Sequence, residues 1–501
     1  MSIHAHPIVA ADIAPARVMP RGMSVAWLLA ALLGWLALDL VLLLRFLGFA
    51  QPALYLAAAV AVALLVRAIA REDLGRIAWR RVGLCIAIAL LLCALGGEGR
   101  FFYANVDWQV RDAVLRDMAI HPWPFVYAGG DLLRAPLGMY FVPGLAAKAG
   151  GQGAGDVALL AQNGLLIGLL LAIGSTLFES GRARMIALAV FLGFSGLDIV
   201  GQLLRGHIGG FAPTAHLEGW GFSQFSSTIT LIFWVPQHAL AGWVPALAYL
   251  LWRSGRLRSG VLFATLPLVA LWSPFGTIGA LPFAFHALLA RRIGWRDLGA
   301  VIPATLLALP ALLYLAAAPD AVGVRFYPIP LGNYVLFELV EAVPFLIAGW
   351  AWRARFGGVT LLIVGLCLAV APLVQIGWSI DFAMRASIPA LAILAVHLGD
   401  RLAGMDMPKE RRAMLLRLLA IGSITGLCEI ARAVTFPTSP VPHCGFSRAW
   451  DETFGAYPKG SYLAPIDRVP AAIRPVDPAV AADRDPLACY DRAWRLPPMF
   501  L

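Results

Sequence analysis

Thirteen apolar runs follow one another along the 501 residues, at 24–44, 52–70, 82–97, 156–178, 185–203, 231–252, 260–273, 277–290, 298–317, 335–352, 358–376, 386–399 and 413–433. A helix needs roughly 20 apolar residues to cross a bilayer, and only helices or closed barrels satisfy every backbone group there. The runs therefore predict an all-α membrane protein of about thirteen transmembrane helices. Several are shorter than a full span, and 260–290 reads either as two short helices or as one kinked at Pro274 and Gly276. Only 14% of residues are charged, against about 25% in soluble domains. The net charge of +10 does not imply nucleic acid, because the arginines sit in short clusters between apolar runs. The first run has no small-residue cleavage pattern after it and reads as a retained helix.

Those arginines predict an orientation. With the N-terminus inside, alternate loops carry Arg17 and Arg21, then Arg67 to Arg81, Arg182 and Arg184, Arg253 to Arg258, Arg291 to Arg296, Arg353 and Arg355, and Arg401 to Arg412. Twenty-one basic residues fall on that side and nine on the other, in longer loops. Positive charge concentrates in cytoplasmic loops. The expected setting is a bacterial inner (plasma) membrane, with the N-terminus cytoplasmic and the C-terminus periplasmic. The partition requires 135–149, weakened by Pro136, Gly138, Pro143 and Gly144, to be an interfacial or re-entrant helix. It also places loops 98–155, 204–230 and 318–334 outside, within a polytopic membrane region spanning 1–433. The proline-rich 434–501 reads as a small external C-terminal region.

The polar insert from Gly97 to Arg134 is where chemistry is expected. Glu98, Asp107, Asp112 and Asp117 alternate with Arg100, Arg111 and Arg116 directly after the third run. Charges beside a bilayer cost energy and mark sites. A helix over Val106 to Met118 puts Asp107 and Arg111 on one face, Asp112 and Arg116 on another. Asp107 is then a candidate general base or metal ligand; the bland alternative is a helix N-cap.

Further candidates lie in the later loops. His207, His216, Glu218 and Trp220 precede Gln237 and His238, a polar pair just inside the sixth run. Such a pair is costly unless it faces a cavity or pairs internally. The cluster suits sugar binding, or a divalent metal held by Asp107, His216 and Glu218, although no His-x-x-His spacing occurs. Arg385 enters the twelfth run four residues after Asp381, its natural ion-pair partner, and its guanidinium also suits phosphate. Arg325 and Tyr327 form a fainter version. Cys444 and Cys489 are the two cysteines outside apolar runs and are expected to form a disulfide. Walker A, GxGxxG and Gly-x-Ser-x-Gly motifs are absent.

The inside N-terminus, long first external loop with an early Asp and an interfacial helix, dozen or so spans and external C-terminal region together resemble the glycosyltransferase C superfamily. The segments at Asp107-Trp108, Trp234 to His238 and Asp381 to Arg385 are also similar to those of uncharacterised bacterial membrane proteins. The resemblance implies transfer of a sugar from a polyprenyl-phosphate donor to an acceptor on the non-cytoplasmic side. Asp107 would be the catalytic or metal-binding carboxylate, taking the proton of the acceptor hydroxyl, with His238 also catalytic, and Arg385 or Arg325 would meet the lipid phosphate. Trp108, Trp123, Trp220, Gln237 and His207 would contact substrate. The tail lacks the Trp-Trp-Asp signature of oligosaccharyltransferases, which argues against protein N-glycosylation. The rival class is a multi-spanning transporter or lipid-linked-substrate flippase, expected to place its polar groups near the bilayer midplane.

Overall fold

The computed structural model describes residues 22–134, 136–207, 212–290, 294–318, 323–351, 355–377, 379–404, 407–455, 457–481 and 489–496. Arg17, Arg21, Arg291, Arg292 and Arg353 lie outside them. Every expected run is helical: α1 (Val25–Phe46), α2 (Pro52–Ala70) and α3 (Trp79–Leu95) precede the insert. The insert holds α4 (Asp107–Ile120) and α5 (Phe141–Gly150), the latter falling where an interfacial helix is expected. Then come α6 (Gln152–Gly174), α7 (Gly181–Gly193), α8 (Asp198–Leu204), α9 (Thr228–Trp234), α10 (Pro236–Arg253), α11 (Ser259–Val269), α12 (Pro274–Ala290) and α13 (Trp295–Ala316). The chain continues through α14 (Leu331–Glu341), α15 (Val343–Gly349), α16 (Gly358–Val370), α17 (Asp381–Ala386), α18 (Ile388–Ala403), α19 (Lys409–Thr435) and, in the tail, α20 (Phe446–Phe454).

Among the described residues, seven helices are long and apolar enough to cross a membrane, or eight if the pair α14 and α15, bent by 43°, counts as one span. That is fewer than thirteen, because proline breaks and short runs leave the others below length. The sixth run, for example, is cut at Val235-Pro236, where proline lacks the N–H to continue α9. The second helix shows the lipid-facing pattern most clearly, with Leu56, Val60 and Leu64 exposed at four-residue intervals.

The loops fall into two contact sets. On the basic side, β1 (Met23–Ser24) pairs antiparallel with β2 (Arg76–Ile77). Arg256 donates to the carbonyls of Leu74 and Thr176 at 2.7 and 2.8 Å. Arg355 reaches Leu177 and pairs with Asp400 at 3.5 Å, and Arg411 donates to Trp350 O at 3.0 Å. On the other side, β5 (Val324–Phe326) pairs with β6 (Val374–Ile376), and Arg134 donates to Leu315 O at 2.9 Å. These are the sets that charge asymmetry assigns to opposite faces.

The tail, expected as a small appended region, is interleaved with the insert. Strand β3 (Phe125–Tyr127) pairs parallel with β8 (Ala479–Ala481), and β4 (Asp131–Leu133) antiparallel with β7 (Leu463–Pro465). Helix α20 packs on α4, and Cys444 is disulfide-bonded to Cys489.

Candidate functional site

Of the four acids between Gly97 and Asp117, three are engaged in packing. Gly97 adopts φ 98°, and a Cβ there would sit 2.3 Å from that of Ala104, so the chain after α3 turns only because this residue is glycine. The turn brings Glu98 and Arg100 back against α6. Asn163 Nδ2 donates to Glu98 Oε1 at 3.0 Å, and Arg100 bridges Asp156 at 2.6 Å and Asp112 at 3.2 Å. Asp112 therefore pairs with Arg100, not with Arg116 as helical spacing suggests. Asp117 accepts from the Tyr127 hydroxyl at 2.9 Å and from the Phe446 N–H at 2.8 Å.

Asp107 remains. It opens α4 with 28% of its side chain exposed, and Arg111 Nη2 donates to its Oδ2 at 2.8 Å. Arg111 itself is buried, and its Nε and Nη1 make no hydrogen bond. Around it stand other buried polar atoms without partners: the Tyr140 hydroxyl, both amide atoms of Gln237, Nδ1 of His238 and Nε of Arg385. A buried polar group left unsatisfied costs about 1–3 kcal/mol, so a group of them converging marks a place where a ligand would be favourable.

Electrostatic proximity ties the group together. Burial pushes the Tyr462 phenol up, while Arg111 and Arg385 pull it partly back and Asp107 pushes further. Burial likewise raises Tyr140, with Tyr462, Arg111 and Asp107 all in reach. His238 lies within reach of both Arg385 and Arg111. Asp107, His238 and Arg385, named from distant parts of the sequence, thus come together. Two helix breaks place them: Pro236 restarts the chain as α10 so that Gln237 and His238 occupy its first turn, and Arg385 lies in the last turn of the short α17 before α18 begins. Arg385 Nη2 also pairs with Asp381 at 2.8 Å, the structural partner expected from spacing.

The other candidates go elsewhere. Arg325 lies exposed on β5 and donates to Gln375 Oε1 at 2.8 Å. His207 Nδ1 is 2.7 Å from Gln202 Oε1. Trp108 and Trp220 are buried, with their indoles donating to Phe233 O at 2.8 Å and to Glu341 Oε1 at 2.7 Å. Neither offers a free face for sugar stacking, and Trp123 donates to Met118 O among Phe46 and Phe141. Nor do Asp107, His216 and Glu218 assemble a metal site. His216 pairs with Glu429 at 2.9 Å and Glu218 accepts from Ser227 N at 2.8 Å; among the described residues no group of three His, Cys, Asp or Glu is placed to hold an ion.

A second polar centre joins Glu218, a sequence candidate, to two acids that sequence reading does not single out. Asp198, Glu218 and Glu341 are buried near one another behind Trp220. Ser195 and Thr425 donate to Asp198 at 2.7 and 2.8 Å. Tyr140 and Tyr462 also went unnoticed, because single tyrosines in a loop and a tail carry no periodic signal. A lateral cavity lined by Asp107 is not what the described cavity provides, since its walls are formed by other residues. Comparison with protein-family models, curated proteins and solved structures finds no match.

Proposed function

We propose that this protein is a membrane glycosyltransferase of the glycosyltransferase C type, using a polyprenyl-phosphate sugar on the side opposite the basic loops. The observation that carries the reading is the gathering of one partly open carboxylate, Asp107, with two arginines that retain unpartnered nitrogens, Arg111 and Arg385. Arg111 and Arg385 would hold the donor phosphate. Asp107 takes the proton of an acceptor hydroxyl, whose oxygen attacks the anomeric carbon. The bond from that carbon to the phosphate oxygen breaks, and polyprenyl phosphate leaves with inversion at the sugar. His238, Gln237 and Tyr140 would orient the sugar and phosphate through the hydrogen bonds they lack, with Tyr462 beside Arg111. A metal ion is not required by this reading.

The two loop contact sets support thirteen crossings, the shorter helices completing their spans through local bilayer thinning and flanking residues. Reporter fusions at Leu257 and Pro440 are then expected on opposite sides. For the activity, protein reconstituted with polyprenyl-phosphate sugars should release polyprenyl phosphate, and Asp107→Asn should lower the rate by on the order of 10² to 10⁴. Full activity of a folded Asp107→Asn protein overturns the assignment.

The buried acids Asp198, Glu218 and Glu341 favour one second reading, a proton-coupled transporter, since acids inside a helix bundle serve proton relays. Solute uptake into proteoliposomes without donor cleavage would select it.

A further inference from the structure

A cavity of about 320 Å³ opens between α3, α6, α7, α10 and α18 at the end of the bundle that carries the basic loops. Its walls are apolar, and Leu84 and Met185 at its margin are 60% and 75% exposed, so its mouth opens sideways to lipid. It stands apart from Asp107. The first turns of α3 and the last of α6 line it, whereas the opposite ends of both helices lead into the insert, on the order of 20 Å away at 1.5 Å per residue.

Arg81, in the first turn of α3, and Arg184, in the first turn of α7, stand at the rim. They are close enough to repel one another, and neither forms an ion pair among the described residues. Arg184 is steadied by the carbonyls of Phe178 and Glu179 at 3.3 and 2.7 Å. Just behind, Arg256 and Arg355 bind the carbonyls of Thr176 and Leu177, and Arg355 also pairs with Asp400 at 3.5 Å. Two guanidiniums over a dry, sideways-opening groove complement a molecule with an anionic head and an apolar chain. Basic pockets between membrane helices take lipid head groups on this principle, and the guanidinium fork matches phosphate oxygens.

We propose that the groove holds one anionic phospholipid of the leaflet beside the basic loops, its phosphate bridging Arg81 and Arg184 and one acyl chain lying along Leu84 and Leu247. This site is independent of the glycosyltransferase reading.

Native mass spectrometry of the full-length protein tests it, with phosphatidylglycerol, phosphatidylcholine or polyprenyl phosphate added in turn. One phosphatidylglycerol should be retained, at least about tenfold more tightly than phosphatidylcholine. Arg81→Gln and Arg184→Gln should each weaken it roughly tenfold, the order of one charge-assisted hydrogen bond. Leu84→Trp, a change at an exposed margin residue that leaves both charges in place, should also expel the lipid. Equal retention of the two phospholipids by the unmodified protein overturns the proposal whether or not the variants fold. So does undiminished binding by a folded Arg81→Gln/Arg184→Gln protein, or displacement by an equal concentration of polyprenyl phosphate.

Discussion

Asp117 Oδ2 lies 2.8 Å from the backbone nitrogen of Phe446, so a carboxylate of the insert receives the first N–H of a helix in the tail, 329 residues on. The contact caps α20 with a buried negative charge where the helix dipole is positive. It also explains why the acid-rich insert and the tail fold as one layer.

Asp117→Ala is accordingly expected to destabilise this layer by about 1–3 kcal/mol, the cost of leaving the Phe446 N–H and Tyr127 hydroxyl without their acceptor. Limited proteolysis within 446–455 should accelerate while the membrane helices stay protected. Unchanged cleavage would show that the tail is held by other contacts.

The disulfide acts on the same layer. Cys444 and Cys489 close a loop with a sequence separation of 45, worth about 4 kcal/mol in the chain-entropy view. Tyr462 lies inside that loop. A Cys444→Ser/Cys489→Ser protein should therefore lose both tail protection and any ligand affinity that depends on Tyr462, whereas Cys85→Ser, distant in the bundle, should not. Equal melting temperatures with and without the bridge would refute this.

Glu98 gives a pH signature. Burial pushes its carboxyl well above the ordinary 4.5, against smaller opposing contributions from Asn163 and Arg111. The unfolded chain releases this proton near 4.5, while the folded chain keeps it to higher pH. Between those points the folded state binds more protons, so stability falls as pH rises, by at most about 1.4 kcal/mol per unit. Glu98→Gln should flatten that slope and be neutral or stabilising at pH 7, as read from melting temperature against pH. A steeper slope in the variant would contradict the neutral carboxyl.

What could be read from the sequence was what is local. The Asp107–Arg111 and Asp381–Arg385 pairs follow from four-residue spacing, and Gln237-His238 announced itself as polarity inside an apolar run. Asp112 was misjudged because Arg100, delivered by the Gly97 turn, outcompetes Arg116 from outside the helix. Trp108 and Trp220 looked like sugar platforms since an aromatic near a loop reads the same whether open or buried. Tyr462 reaches Arg111 only because β7 pairs with β4 across more than three hundred residues, a relationship no spacing encodes.

The Asp107–Arg111 pair separates structure from chemistry. Arg111 is buried and its one described ion pair is with Asp107, so Asp107→Asn leaves a buried cation uncompensated. Removing one partner of a buried pair costs about 3–5 kcal/mol, while replacing both by apolar groups is often neutral. The partial exposure of Asp107 moves the expected loss toward the lower end of that range. The Asp107→Asn/Arg111→Met protein should then recover much of the stability lost by Asp107→Asn alone. If the pair were only structural, that double variant would recover function with stability. The site reading expects a protein that melts near the parent temperature yet neither binds a polyprenyl phosphate nor consumes a donor. Melting curves and donor turnover measured on the same three proteins decide between them, and a stable, active double variant would remove Asp107 from the chemistry.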